Sequence, residues 1–297
     1  MVLDGGMGRE LLRIGAPFRQ PEWSALALWE GPEWVVQAHA NFIEAGADMV
    51  TTNSYALVPF HIGEERFAIQ GQALASLSGR LARQAANAAE RSVIVAGSLP
   101  PLFGSYRPDL FVAEQSRSII DPLVDGLAEH VDLWLGETLG SIVEATTVRA
   151  AIDRVGSDLP LWISYTLDDH VPGTLRSGES VGDAVRAAVD LGAEAVLFNC
   201  CQAETITLAI ATTLGVVPAG VATGGYANKF VTSHSVEVGA NAGLSEFRDD
   251  LDPTAYGEFV AEWLQMGATL VGGCCGMEPA HIREIADNVR MRVSWGG

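Results

Sequence analysis

"DLGAEAVLFNC", residues 190–200, passes from the end of a helical pattern into a strand within a few residues. Gly192 provides the left-handed conformation that commonly stops a helix, and the run Ala195–Phe198 that follows is apolar and β-prone. The same punctuation recurs in "EAGADMV" (44–50) and "QMGATLV" (265–271). This is repetition of a supersecondary unit rather than of a solenoid module.

Outward from these points, strand-like and helix-like stretches alternate along the whole chain. Strands are expected at 2–6, 48–53, 92–98, 131–138, 160–167, 193–200, 216–224 and 268–273. Helices are expected at 32–46, 71–90, 111–130, 141–155, 181–192, 204–215, 252–267 and 278–291. In the first of these helices Val35, Val36, His39, Phe42 and Ile43 share one face. Eight βα units in 297 residues predict an α/β protein, a single (β/α)8 TIM barrel forming one domain over 1–297. The rival architecture is an open doubly wound sheet. Three segments, 13–31, 100–109 and 224–252, read as loops after strands, which places them on the face where barrel enzymes keep their active sites.

Composition narrows the partners. With 18 basic and 37 acidic residues the net charge is −19, which repels phosphate backbones and argues against nucleic acid. No 18-residue apolar run is present, so no membrane span is expected. The opening "MVLDGGMGRE" lacks a basic and apolar leader, and the expected location is cytoplasmic, where thiols stay reduced.

Four cysteines are present, and two of them, Cys274 and Cys275, are adjacent between glycines in "LVGGCCGMEP" (270–279). Cys200 ends the sixth expected strand and Cys274–Cys275 end the eighth, so a barrel brings them to one mouth. Asp4, Asn53 and Glu137 end other strands there. A buried cysteine is ordinarily a small hydrophobe, which suits Cys201, but explains a Cys–Cys pair poorly. A disulfide between neighbours is strained, and the compartment is reducing. The remaining reading is a metal. Three thiolates favour Zn2+ over harder ions, and three protein ligands leave a position open for substrate. No histidine ends an expected strand. Such an ion is a weak Lewis acid, but it keeps a substrate thiol ionised and nucleophilic.

The motifs "LDGGMGREL", "AGADMVTTNSYA", "GETLGSIVEA", "SYTL", "LFNC" and "LVGGCCGMEPAHI" together resemble the homocysteine S-methyltransferases over nearly the whole chain. The resemblance implies that Cys200, Cys274 and Cys275 hold zinc. It implies that Asp4 lies near the substrate amino and thiol groups and that Glu137 holds the homocysteine ammonium. It further implies that Asn53, Ser54 and Tyr55 line the site and that Gly5 lets backbone approach the ligand. The plainer alternatives are turn capping for Asp4, a solvated acid for Glu137, turn formation for Asn53 and core packing for Tyr55. The implied reaction moves a methyl group from a small onium donor, S-methylmethionine or S-adenosylmethionine, to homocysteine, giving methionine. Betaine as donor, a selenol as acceptor, and a non-catalytic zinc- or thiol-binding barrel are the alternatives. The segments "ETLG" and "YANK" depart from the family pattern on the donor side. Trp23, Trp29, Tyr55, Tyr106 and Tyr226 are candidates for an aromatic donor pocket. Tyr226 and Asn228 begin the long 225–252 loop, which is expected to cover the donor. The partners implied are small molecules, with a homo-oligomer left open.

Overall fold

The computed structural model describes residues 1–231 and 246–295, with side chains to 291. Seven parallel strands are hydrogen-bonded in chain order: β1 (Met49–Thr51), β2 (Ile94–Leu99), β3 (Leu133–Leu139), β4 (Leu161–Tyr165), β5 (Ala195–Asn199), β6 (Ala222–Tyr226) and β7 (Leu270–Val271). The repeated glycine punctuation has its physical cause on display. Gly46, Gly192 and Gly267 sit at φ +112°, +78° and +120°, where a side chain would be strained.

The last expected strand, 268–273, shortens to Leu270–Val271, and two others need correction. The first, residues 2–6, reduces to two bridging residues: Val2 pairs with Val271 and Leu3 with Met49, both in parallel sense. Gly6 already caps a helix, Met7–Ile14, so no longer extended run fits. The seventh, 216–224, shifts to Ala222–Tyr226. Pro218 has no N–H for a ladder, and Gly220 is left-handed at φ +97°.

The eight expected helices form, at Pro32–Ala45, Glu64–Ala88, Ala113–Leu127, Ile142–Arg154, Val181–Asp190, Ala203–Leu214, Pro253–Met266 and Pro279–Trp295. The segment 13–31, expected as loop, is partly helical at Trp23–Leu26 and Ala27–Glu30. Ala25, Leu26, Ala27 and Leu28 there are almost wholly buried. That run is too short for periodicity to register in the sequence.

The core divides into two. Leu3, Met49, Ala96, Leu133, Leu135, Trp162, Ala195, Leu197, Tyr226 and Leu270 pack together. Every strand contributes, as does the Val2–Leu3 segment, so these side chains fill the concave side of a curled sheet. A larger cluster, including Val35, Phe42, Val95, Leu123, Val148, Val196, Ile206 and Val271, lies between sheet and helices. No helix among the described residues is long and apolar enough to cross a membrane.

Candidate metal and substrate site

Backbone hydrogen bonds gather three loops at the C-terminal ends of the strands. Cys200 N–H donates to Tyr226 O (3.2 Å), Cys274 N–H to Ala227 O (2.9 Å), Lys229 N–H to Cys275 O (2.8 Å) and Gly273 N–H to Asp4 O (3.0 Å). The sulfurs of Cys200, Cys274 and Cys275 consequently lie within 4.8 Å of one another. Cys201 points away and is fully buried in the outer core.

The Cys274 thiol donates to the Cys200 sulfur at 2.9 Å, and the Cys200 and Cys275 sulfurs are hydrogen-bonded at 3.6 Å. Those two hydrogen bonds, with a third from the Tyr106 hydroxyl at 3.0 Å, hold Cys200 well below the ordinary thiol range. The same contacts and burial push Cys274 and Cys275 up, so Cys200 is the thiol that ionises most readily. A soft divalent cation held by Cys200, Cys274 and Cys275 would replace the thiol protons of the cluster. Sulfurs on one tetrahedral zinc, each about 2.3 Å from the ion, are separated by about 3.8 Å. The 3.6 Å pair already has that spacing, and the 2.9 Å pair has to part by just under about 1 Å. Three cysteine sulfurs in this arrangement form a metal site, and zinc is the ion that the donor set fits.

A cavity opens on the cluster, lined among others by Asp4, Gly5, Arg9, Trp23, Asn53, Tyr55, Tyr106, Glu137, Thr138, Tyr226, Phe230 and the three cysteines. Asp4 is held by Thr51, whose N–H and hydroxyl donate to it at 2.8 and 3.0 Å. Glu137 accepts from Ser98 Oγ (2.7 Å) and Tyr226 OH (3.1 Å). Burial pushes Asp4 up to about 8, with the Glu137 charge adding to the effect. Burial likewise pushes Glu137 up to about 7, with Cys200 adding to it. Glu137 is therefore the more readily ionised of the two near neutral pH, and Asp4 stays largely protonated.

Among the described residues, the left-handed non-glycine backbone is gathered at this place. Trp23, Tyr106, Thr138 and Cys200, the non-glycine residues with positive φ (+50°, +63°, +60° and +56°), all line the cavity. Each such residue costs about 1–3 kcal/mol and persists because its surroundings over-determine it. Gly6 is equally constrained: a Cβ there would lie 2.7 Å from Cys274 O and 3.1 Å from Cys275 Cα.

The other expected site residues fall into two groups. Asn53 lines the cavity and donates to Ser24 O at 2.9 Å, tying the Trp23–Glu30 helical segment to the mouth. Tyr55 and Tyr226 line it as well, and Tyr55 OH meets Ser105 Oγ at 2.8 Å. Ser54 and Asn228 do not line it. Ser54 donates to Ser98 O (2.7 Å), and Asn228 accepts from Phe230 N–H (3.1 Å) and Gln202 Nε2 (3.3 Å). Gly5 does line the cavity, and a Cβ there would lie 2.5 Å from Met277 O. Trp29 is outside the cavity, beneath the Arg66 guanidinium at 4.4 Å. Residues 232–245 of the expected donor cover lie outside the described residues.

Three roles at the site went unassigned in the sequence, one of them at Tyr106, which was expected only as a candidate aromatic face. Asn199, fully buried beside Cys200, accepts from Thr138 N–H (3.1 Å) and Ser164 Oγ (2.7 Å) and turns its amide toward Cys274 Sγ at 3.8 Å. The Tyr106 hydroxyl on Cys200 is the second, and Arg9 on the cavity wall the third. The motif "NC" carried a signal for Asn199. Nothing in the sequence signalled the Tyr106–Cys200 contact.

A concave site with a tri-cysteine metal cluster and a pair of buried acids defines a class: a thiol-handling α/β enzyme. The sequence profile of the family "Homocysteine S-methyltransferase" matches residues 1–289, and the chain belongs to that family. It is 27% identical to homocysteine S-methyltransferase 4 of Zea mays, covering 97% of this chain and 89% of that one. It is 28% identical to the selenocysteine methyltransferase of Astragalus bisulcatus, covering 96% and 90%. Its fold matches the metallated form of the homocysteine methyltransferase MmuM from Escherichia coli with a TM-score of 0.79 at 27% identity, covering 97% of this chain and 95% of that one.

Proposed function

We propose that this protein transfers a methyl group from a small onium donor to the sulfur of L-homocysteine, giving methionine. S-methylmethionine or S-adenosylmethionine is the first choice of donor, and betaine the second. The observation that carries the reading is the joining, in one cavity, of three clustered sulfurs with two buried acids. Zinc held by Cys200, Cys274 and Cys275 would supply a means of keeping the substrate thiol ionised at neutral pH, with the thiol proton released to water. Glu137 takes the substrate ammonium, since it is the acid that ionises first and is anchored by Ser98 and Tyr226. Asp4 lies beside it and remains largely protonated. The homocysteine sulfur attacks the methyl carbon. The carbon–heteroatom bond of the donor breaks, and its electron pair stays on the donor, which loses its positive charge. Trp23, Tyr55, Tyr106 and Phe230 provide aromatic faces suited to an onium before transfer.

A selenol acceptor is the second reading, favoured by the selenocysteine methyltransferase among the relatives. The architecture proposed is a closed (β/α)8 barrel, one domain over residues 1–297, in the cytoplasm. Support for closure comes from a repeated device. Asp132 precedes β3 and accepts from Val95 N–H of β2 at 2.8 Å. Asp48 precedes β1 and accepts from Val2 N–H at 2.8 Å in the same manner. Val2 is thus treated as the start of a strand.

The test is a donor panel against homocysteine and selenocysteine, with metal content measured on the same preparation. About one zinc per chain and methionine from at least one onium donor are expected. Bound zinc without turnover of any donor would leave a binding barrel in place of an enzyme.

A further inference from the structure

The segment 167–180, "LDDHVPGTLRSGES", lies between β4 and the helix Val181–Asp190 and folds back on itself. Leu167 pairs with Leu175 in antiparallel sense, and Gly173 and Gly178 turn the chain at φ +82° and +88°. The fold-back sets Asp169 and Arg176 side by side, with Arg176 Nη2 3.4 Å from Asp169 Oδ2. Both charges serve the end of β5. Asp169 Oδ1 accepts from Gln202 N–H and Thr205 Oγ1, each at 2.9 Å, in the turn that follows Cys200 and Cys201. The Arg176 guanidinium stands 5.0 Å from the centroid of the Tyr106 ring. Tyr106 lines the cavity and Arg176 does not, so the guanidinium backs the ring from outside. Arg176 Nε is buried without a hydrogen-bond partner among the described residues, which leaves the ring and the Asp169 carboxylate to seat this side chain.

We infer that Arg176 is a positioning residue for the metal cluster: seated by Asp169, it holds the Tyr106 ring inward and keeps the phenol on the Cys200 sulfur. The inference rests on the reading of Cys200, Cys274 and Cys275 as a metal site. The contacts form a closed circuit. It leaves the chain at Cys200 Sγ, passes through the Tyr106 hydroxyl at 3.0 Å, the Tyr106 ring, Arg176 and Asp169, and returns at Gln202 N–H. Cys200 is left-handed at φ +56° and Tyr106 at φ +63°, so the hydrogen bond joins two of the four such non-glycine residues. Neither conformation is favourable for a residue with a side chain, and each persists only in fixed surroundings. A cation against a ring face attracts it, and more strongly where water is partly excluded. The side chain of Arg176 is 25% exposed and that of Asp169 6%, which meets that condition. A sulfur held in place beforehand has less freedom to lose when it takes a metal. Arg176 does this without touching a sulfur or the cavity.

The experiment measures zinc affinity by chelator competition on the whole protein, for the wild type, Arg176→Gln, Tyr106→Phe and the double variant, with Arg176→Lys as the conservative change. Arg176→Gln is expected to weaken zinc binding about 3- to 30-fold, the range for a residue that acts through another. In the Tyr106→Phe background no hydroxyl reaches Cys200, and the same change should cost under about twofold. Arg176→Lys keeps a cation at the ring and should recover part of the loss. Saturated with Co2+ in place of zinc, Arg176→Gln should keep the thiolate charge-transfer absorption of the wild type, because the same three sulfurs hold the ion. Zinc affinity within about twofold of the wild type in Arg176→Gln overturns the inference. So does an undiminished loss in the Tyr106→Phe background, which would make Arg176 a general support of segment 167–180. An Arg176→Lys protein no tighter than Arg176→Gln, or a weaker Co2+ absorption that marks a lost ligand, overturns it as well. A wild type that takes up no zinc sinks the metal-site reading itself, before any variant is compared.

Discussion

Cys200 holds its sulfur on a left-handed backbone at φ +56°, a conformation that a residue at a strand end adopts only under constraint. The constraint is local: Asn199 is pinned by Thr138 and Ser164 on one side, and Cys200 N–H by Tyr226 on the other. Replacing Cys200 or Cys274 by serine should therefore abolish metal binding and turnover together, because serine keeps the geometry and removes only the thiolate. Cys201→Ala should retain about one zinc per chain by metal analysis, since that thiol faces the outer core. Loss of zinc in Cys201→Ala alone would invert the ligand assignment. Tyr106 permits a finer test. Burial keeps its phenol protonated, so it is the donor to Cys200. Tyr106→Phe removes one hydroxyl from the sulfur and should weaken zinc affinity by about 10- to 100-fold in chelator competition, the usual effect of deleting a partner of a ligand. A change under about twofold would make the contact incidental to the metal.

At the scale of elements, the helix Pro32–Ala45 carries an oddity on its core face. His39 is fully buried, with neither ring nitrogen hydrogen-bonded among the described residues. Burial pushes it down to about 3. The fold therefore accepts only the neutral ring, while the unfolded chain takes up a proton near its ordinary value of 6.5. His39 costs nothing extra above about pH 6.5, and the fold loses about 1.4 kcal/mol per pH unit as pH falls from there toward 3. His39→Leu should remove this slope. Between pH 7 and 5.5 the variant should lose about 1 kcal/mol less than the wild type in urea unfolding. Parallel losses would mean that the ring finds a partner once protonated. The sequence showed this helix and the face of His39 on it, because periodicity reports burial. It showed the cysteines and both acids, because their chemical type is unusual and strand ends converge. It did not show Arg9, because the helix Met7–Ile14 is too short to leave a periodic trace and lies just after a glycine pair. Nor did it show that the Ser54 hydroxyl and the Asn228 amide turn to backbone and loop groups, since that choice depends on tertiary neighbours.

For the whole molecule, the question is what joins the two edges of the seven-stranded sheet. Leu3 N–H donates to Val271 O at 2.8 Å, Val271 N–H to Met1 O at 3.2 Å, and Met49 N–H to Val2 O at 3.2 Å. Leu3 itself is 1% exposed and packs with Met49, Leu133 and Leu270 on the concave side. In the proposed closed barrel this short segment is a full stave despite its length. It also leads straight into Asp4, Gly5 and Gly6, so the part that closes the sheet is the part that starts the site. Leu3→Ala should then behave as a core truncation, costing about 2–5 kcal/mol in urea unfolding. Leu12→Ala, on an exposed position of the neighbouring helix, should cost under about 0.5 kcal/mol and serves as the control. In folded Leu3→Ala protein, homocysteine affinity should fall while Cys200, Cys274 and Cys275 still bind zinc, because Asp4 shifts and the ligand loops do not. A cost under about 1 kcal/mol would place residues 1–3 on the edge of an open sheet, and the barrel would not be closed there.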